Sequence, residues 1–373
     1  MILAIIIGLS LIYFIFLIKV LISLKNIDSR KNINNNCDEF ITIIIPFKNE
    51  SENILNNLKS IEDLNYDIEK YEVIYVDDNS EDDSYLKLKN HIRSQNIKIL
   101  RNPNKKQFGK KKAVKYAIEN CKGEIIITTD ADCIVQKNWL RKTVSLFDLD
   151  TAFISGIVKF NDQGGVWNRI QQLEFGGLVL VGGGLINAGF PTICNAANLA
   201  FRKSVFIEVG GFEDNLHITS GDDELLMQKI ARNTKYKIKF LFDKESLVST
   251  SPNTSFKAFY NQRVRWASKG LHYKNPLLII FLISIYLFFI SFPIQIVLGF
   301  LYNKLYLISS FIIFSVKLVL ERKILLYGYK VLFKNMNFFL FIIAEILHIP
   351  YIIIAGVMGT VGKFKWKEIE HKR

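Results

Sequence analysis

Several patterns are missing from this chain, and each absence removes a class of function. No G-x-G-x-x-G follows the first apolar, β-branched run, and no G-x-x-x-x-G-K-[ST] occurs, so the dinucleotide and P-loop readings fail. Cysteine is scarce. The four (Cys37, Cys121, Cys133, Cys194) include no Cys-x-x-Cys pair and read as reduced, mostly buried thiols, as in a cytosolic domain. There is no zinc-finger, RNA-recognition or helix-turn-helix pattern, so the net charge of +13 is not assigned to nucleic acid, and no nucleic-acid partner is expected. The N-terminal apolar run lacks a basic leader and an Ala-x-Ala-like exit, and reads as a retained anchor rather than a cleaved signal.

What is present is unevenly spread. Hydrophobic residues make up 50% of the 373 positions. They concentrate in residues 1–24 and 277–362, where runs approach the ~20 residues that span a bilayer. Lys25, Arg30 and Lys31 follow the first run and no basic residue precedes it, which puts the next domain in the cytoplasm. The expected organisation is an anchor (1–24), a polar linker (25–39), a soluble domain (40–250), an amphipathic helix (251–275), a transmembrane region of two to three spans (276–362) and a basic tail (363–373). Basic residues beside the spans can meet anionic lipid headgroups.

Within the soluble part, strand and helix alternate four times. Strands are expected at Phe40–Ile45 (ending at Pro46), Tyr71–Val76, Ile97–Leu100 and 124–127, with helices from Glu50, Ser84 and Lys110. This alternation predicts an α/β fold with a mostly parallel sheet covered on both faces. Polar residues follow each strand: Pro46-Phe47-Lys48-Asn49-Glu50, Asp77-Asp78, and Asp130-Ala131-Asp132. In open α/β sheets these strand ends converge on one crevice. Two carboxylates two residues apart repel each other unless a cation or a proton relieves them, and Mg²⁺ or Mn²⁺ with substrate phosphates suits such a pair.

Three later stretches carry information. Residues 176–189 are apolar and glycine-rich, and read as a loop, flexible or on the acceptor side. Ser220-Gly221-Asp222-Asp223-Glu224 precedes a helix; a cap with an acidic first turn explains it, and so does a general base. From Pro252 to Lys274, Phe256, Tyr260, Val264, Ala267 and Leu271 recur at helical spacing, while Gln262, Arg265, Trp266 and Lys269 fall on a second stripe. That reads as an amphipathic helix on the bilayer surface.

Together these residues resemble glycosyltransferase family 2, in its membrane-bound branch with a Gln-x-x-Arg-Trp motif, which includes poly-N-acetylglucosamine and cellulose synthases and ceramide-type glucosyltransferases. The resemblance spans about residues 40–270. It rests on Pro46-Phe47-Lys48-Asn49-Glu50, Val76-Asp77-Asp78-Asn79-Ser80, Gly109-Lys110, Thr129-Asp130-Ala131-Asp132, Gly221-Asp222-Asp223 and Gln262-Arg263-Val264-Arg265-Trp266. It implies a GT-A, Rossmann-like nucleotide-diphospho-sugar transferase fold with transmembrane helices at both ends. It also implies roles. Asp78 would accept from the uracil of a UDP-sugar, with Asp77 beside it, Pro46 and Phe47 lining the nucleoside pocket, and Glu50 on the donor side. Lys110 would offset the diphosphate, Asp132 would hold Mg²⁺ or Mn²⁺, and Asp130 would contact the metal, ribose or sugar. Asp223 would be the general base with Asp222 its rival, and Gln262, Arg265 and Trp266 would border diphosphate and acceptor. The family form at the base is Glu-Asp, where this chain has Asp222-Asp223, and Lys48 stands where the family often has Tyr or Arg.

The resulting expectation is a metal-dependent, inverting transferase at the cytoplasmic face of the cell membrane, moving a hexose or N-acetylhexosamine from a UDP-sugar to a lipid or lipid-linked acceptor. A processive polysaccharide synthase is the alternative, and a non-catalytic nucleotide-sugar-binding membrane protein is the reading from another class. Leu277–Tyr302, Leu305–Leu320 and Phe338–Val361 (the last broken by Pro350) are candidate spans. Three spans after a cytoplasmic domain would put the basic tail outside, against the positive-inside rule, unless residues 324–333 or 338–361 are re-entrant or interfacial. Glu345 and His348, one turn apart, read as a headgroup site or a helix–helix hydrogen bond.

Overall fold

The computed structural model describes residues 1–27, 38–103, 109–216, 221–333, 336–361, 364–366 and 369–371. Most of the linker, Cys37, Ser220 and much of the basic tail lie outside the described residues. In chain order the elements are α1 (Ile2–Lys25), β1 (Ile41–Phe47), α2 (Ile54–Glu62), β2 (Tyr71–Asp77), α3 (Ser84–His91), β3 (Ile97–Arg101), α4 (Lys110–Glu119), β4 (Ile125–Thr128), β5 (Ile134–Val135), α5 (Trp139–Val144), β6 (Thr151–Gly156) and β7 (Val158–Phe160). Then come α6 (Val166–Asn187), β8 (Leu199–Arg202), α7 (Lys203–Glu208), α8 (Glu224–Asn233), β9 (Lys237–Leu241), β10 (Val248–Thr250), α9 (Phe256–Ala267), α10 (Pro276–Leu301), α11 (Leu305–Leu332), α12 (Phe338–Val361), β11 (Phe364–Trp366) and β12 (Ile369–His371).

The chain divides into two compact units. One comprises Ser23–Asn161 and Leu178–Ser251. It is built on a seven-stranded sheet of order β3-β2-β1-β4-β8-β6-β9. The first four strands are parallel, and β8 runs antiparallel to both β4 and β6. The continuous apolar runs have a direct cause: every residue of β1, β2 and β4 is buried, because helices cover both faces. Burying each isoleucine of β1 contributes about 1.5–3 kcal/mol against leaving it in water.

β1 runs through Pro46 to Phe47, two residues past the expected end. β4 pairs with β1 only as far as Ile44↔Thr128, so the missing N–H of Pro46 lies beyond that ladder, where it is tolerated. A second, three-stranded sheet of order β5-β10-β7 sits after the Asp-x-Asp turn.

The other unit comprises Met1–Ile22, Asp162–Gly177 and Pro252–Arg373. Among the described residues, three of its helices are long and apolar enough to cross a membrane: Ile2–Lys25, Pro276–Leu301 and Phe338–Thr360. Two expectations are corrected. Residues 176–187 are not a loop but the second half of α6, where the glycines give close approach: Phe333 lies where a side chain on Gly176 would be, and the Ile193 carbonyl where one on Gly182 would be. Pro350 does not interrupt α12, which is one helix throughout.

Candidate active site

The site begins at the switch of strand order. The chain moves from β1 outward to β2 and β3, then returns to place β4 on the other side of β1. A crevice therefore opens at the C-terminal ends of β1 and β4. The turns after β1 and β2 are tied together there. Asn49 N donates to Ser80 Oγ at 3.1 Å, Glu81 N to Asn49 Oδ1 at 2.9 Å, and Glu50 N to Ser84 Oγ at 2.7 Å. Asn49 and Asn79 take the left-handed conformation (φ 53° and 63°) that asparagine tolerates.

Asp77 and Asp78 close β2. The carboxylate of Asp77 accepts from Ser80 N at 2.9 Å and faces Arg101 at 3.5 Å. That of Asp78 accepts from Asn102 Nδ2 at 2.9 Å and from Gly109 N at 2.8 Å. Burial pushes the Asp78 carboxyl up, against the lowering effect of those two donors. Gly109 has φ 136°, a conformation closed to most residues, which explains a glycine just before Lys110. Pro46 and Phe47 are buried in β1, with Phe47 edge-on to Tyr75 at 6.4 Å.

Lys110, the first residue of α4, reaches Asp130 Oδ1 at 2.5 Å and Asp222 Oδ2 at 3.2 Å. Burial disfavours its charge, but Asp130 and Asp222 outweigh that and hold its pKa well above the usual lysine range. Asp222 therefore enters the site through Lys110. Asp223 is the cap of α8: its carboxylate accepts from Glu224 N at 2.7 Å and from Ala196 N at 3.3 Å. The capping reading of this stretch is thus correct for Asp223, whose oxygens are aimed by two backbone amides.

Asp132 accepts from Thr250 Oγ1 at 3.1 Å and from Cys133 Sγ at 3.4 Å. Burial, then repulsion from Asp130 and Glu50, raises its carboxyl to about 6. Ligand atoms of Asp130, Asp132 and Cys133 lie within 4.8 Å of one another. Burial pushes the Cys133 thiol far up, so it stays protonated near neutral pH and the usable donors are carboxylates. A half-buried pair of carboxylates that repel each other fits a hard divalent cation.

Three residues that hold this arrangement were not singled out by sequence. Asn57 Nδ2 donates to the carbonyls of Asp130 (3.2 Å) and Cys133 (2.7 Å), while its Oδ1 accepts from Tyr75 OH at 2.7 Å. Thr250 and Asn102 are the others. A signal existed for Asn57, a polar residue on the apolar stripe of Ile54, Leu58 and Ile61. None existed for Thr250, which reaches Asp132 because β10 pairs antiparallel to β5.

Gln262, Arg265 and Trp266 lie in α9, in the other unit. The buried residues of α9 are Phe259, Arg263 and Val264, so the packed stripe differs from the expected one through Phe256 and Tyr260. Arg263 pairs with Glu174, its Nε donating at 3.0 Å, and its guanidinium lies 4.3 Å from the Trp266 ring and 4.4 Å from the Phe259 ring. Gln262 Oε1 accepts from Asn253 Nδ2 at 2.9 Å.

Comparison with known proteins accords with this geometry. Residues 42–210 match the family described as Glycosyl transferase family 2. The chain is 26% identical over 272 residues to a poly-beta-1,6-N-acetyl-D-glucosamine synthase of Staphylococcus aureus, covering 69% of this chain and 60% of that protein. It is 26% identical over 236 residues to an undecaprenyl-phosphate 4-deoxy-4-formamido-L-arabinose transferase of Pseudomonas savastanoi pv. phaseolicola, covering 57% and 67%. The chain thus spans about two thirds or less of the length of these curated relatives. A solved mannosyltransferase of Pyrobaculum calidifontis, in complex with GDP-Man and Mn2+, superimposes with a TM-score of 0.61 at 18% identity, covering 96% of this chain and 99% of that one. The fold is GT-A, and residues 42–210 carry a glycosyltransferase family 2 domain.

Proposed function

We propose that this protein is an integral membrane, metal-dependent, inverting glycosyltransferase. Its donor is a UDP-hexose or UDP-N-acetylhexosamine, and its acceptor a lipid or lipid-linked hydroxyl at the cytoplasmic face of the cell membrane. The observation that carries the reading is the convergence of Asp78, Asp130, Asp132, Asp222 and Lys110 on the β1/β4 crevice, with the capping carboxylate of Asp223 in the same unit.

Each residue has a task within the proposal. Asp78, with Asp77 and the turn of Pro46, Phe47 and Glu50, receives the uracil. Asp132 and Asp130 hold Mg²⁺ or Mn²⁺, which when bound would offset the charge of the diphosphate. Lys110, shared between Asp130 and Asp222, would also offset the charge of the diphosphate. Asp223 takes the proton of the acceptor hydroxyl, a step worth about 10²–10⁴-fold. The acceptor oxygen attacks the anomeric carbon as the carbon–oxygen bond to the diphosphate breaks, so UDP leaves and the centre is inverted. Gln262, Arg265 and Trp266 border diphosphate and acceptor.

The likeness to an undecaprenyl-phosphate sugar transferase supports a lipid-linked acceptor. The likeness to a poly-N-acetylglucosamine synthase supports a second reading, processive synthesis of a β-linked polymer. The test is UDP release by purified protein with Mn²⁺ across a panel of UDP-sugars, wild type beside Asp223→Ala. One or two donors should support release, lipid extract should increase it, and the variant should lose about 10²–10⁴-fold. If no donor supports release with metal and lipid present, the UDP-sugar assignment fails.

A further inference from the structure

By composition α12 is a candidate span along its whole length, while α11 is one only over Leu305–Leu320 and carries Lys317, Glu321, Arg322 and Lys323. The contacts of these helices reverse that order.

α11 runs antiparallel along α10. Leu307 packs where a side chain on Gly299 would lie, and Ser309 Oγ donates to Gln295 Oε1 at 2.7 Å. Phe314 meets Phe292 at 6.0 Å, and the Lys317 ammonium lies 5.7 Å from the Phe289 ring. From Lys317, α11 continues to Leu332, roughly 22 Å at 1.5 Å per residue. There it returns to the beginning of the bundle. Leu325 and Phe333 lie against Gly177 and Gly176 of α6, whose Glu174 pairs with Arg263 of α9. Two of the charges that argue against a span, Lys317 and Glu321, are satisfied inside, and Arg322 and Lys323 lie exposed on the half of α11 that leads to Leu332. Lys317 is fully buried; it donates to Glu321 Oε2 at 2.9 Å and pairs with Glu345 of α12, while Tyr13 OH of α1 donates to Glu321 Oε1 at 2.6 Å. Ionisable groups are tolerated at membrane depth when they face the bundle and one another.

α12 begins a few residues after Phe333 and ends beside α9. Gly359 lies against Ala267 and Ser268, and β11 lies beside α9. Midway, the Tyr351 ring meets Phe259 at 5.6 Å, and Tyr351 OH donates to Glu174 Oε1 at 3.2 Å. Tyr351 and Gly359 are as far apart on α12 as Phe259 and Ala267 are on α9, so the helices run parallel over roughly 12 Å. The last half of α12 therefore lies along α9, and its first residue, Phe338, lies 5.1 Å from the Arg322 guanidinium of α11, so neither end reaches the α10–α11 turn.

We infer that α10 and α11 form the crossing hairpin, and that α12 lies within the leaflet on the α9 side without crossing. Its exposed stripe of Phe339, Ile343, Ile346, Leu347, Ile354 and Val357 faces lipid acyl chains. The count of crossings after α9 is then even, and the basic residues after α12 fall on the side of α9, where the positive-inside rule puts them. This inference is independent of donor, acceptor and catalysis.

Cysteine labelling tests it on the full chain in sealed vesicles. Lys257→Cys marks α9, Tyr302→Cys the α10–α11 turn and Lys372→Cys the tail, each read with a membrane-impermeant maleimide above the wild-type background. Lys372→Cys should label in the same vesicle orientation as Lys257→Cys and opposite to Tyr302→Cys. Labelling of Lys372→Cys together with Tyr302→Cys means that α12 crosses, and overturns the inference. So does labelling of Tyr302→Cys with Lys257→Cys. A nitroxide on Ile354→Cys in nanodiscs should then be relaxed by oxygen rather than by an aqueous nickel chelate. Relaxation by the chelate shows water at the stripe, and relaxation by neither shows a protein cover, such as a second copy; either removes lipid as the occupant.

Discussion

Asn57 is the residue whose loss should be felt twice. It ties the carbonyls of Asp130 and Cys133 to Tyr75, so it sets the backbone that presents Asp132. In Asn57→Ala the two carbonyls and the Tyr75 hydroxyl lose their partner, and stability should fall by about 1–3 kcal/mol, read by urea unfolding of the purified protein. The Mn²⁺ concentration for half-maximal turnover should also rise by about 10–100-fold, the usual cost of removing a group that orients a metal ligand. A variant as stable as wild type with unchanged metal dependence would show that Asn57 merely fills space. Asp132 carries a pH dependence. Its carboxyl, raised to about 6, holds its proton more tightly folded than unfolded, near 3.9. Without metal, this group therefore costs stability as the pH rises from about 4 to 6. Proton and cation compete for it, so Mn²⁺ affinity should weaken by about tenfold per pH unit below 6 and level off above. The check is the thermal shift produced by Mn²⁺, which should be clear at pH 7.5 and small at pH 5.

At the scale of elements, the charges of α11 are its most testable feature. Lys317→Met leaves Glu321 and Glu345 together inside the bundle without their cation. Breaking a buried pair in this way costs about 3–5 kcal/mol, and the melting temperature in detergent should drop accordingly. Adding Glu345→Gln should recover part of it by removing one of the stranded charges. Helix α6 shows why its own character was hidden. Its glycines look like loop residues in sequence, yet three of them sit where a side chain from elsewhere in the chain fills, or a carbonyl occupies, the space of the missing one: Phe333 at Gly176, the Ile193 carbonyl at Gly182, Phe240 at Gly183. Tertiary packing overrides the low helix propensity of glycine there.

For the whole molecule, the number of sugars per product separates the two readings of function. Under the lipid-acceptor reading, mass spectrometry of the product should show one added hexose or N-acetylhexosamine per acceptor. A ladder of repeats would favour the polysaccharide reading. Chelation by EDTA should stop turnover, and Mn²⁺ should restore it.

Much of this protein follows from local sequence. Largely apolar, β-branched and aromatic runs closed by Asp77-Asp78 and Asp130-Ala131-Asp132 determine buried parallel strands, because strands covered on both faces favour near-continuous apolar runs. Strand order then brings their carboxylates to one edge. What local sequence does not carry is which distant side chains meet. That Asp222 shares Lys110 with Asp130, that Thr250 reaches Asp132, and that Lys317 finds Glu345 depend on residues tens to more than a hundred positions apart. No periodicity records such pairings. They exist only once the sheet and the helix bundle bring those positions within hydrogen-bonding distance, and the same packing gives a charged helix its place among apolar ones.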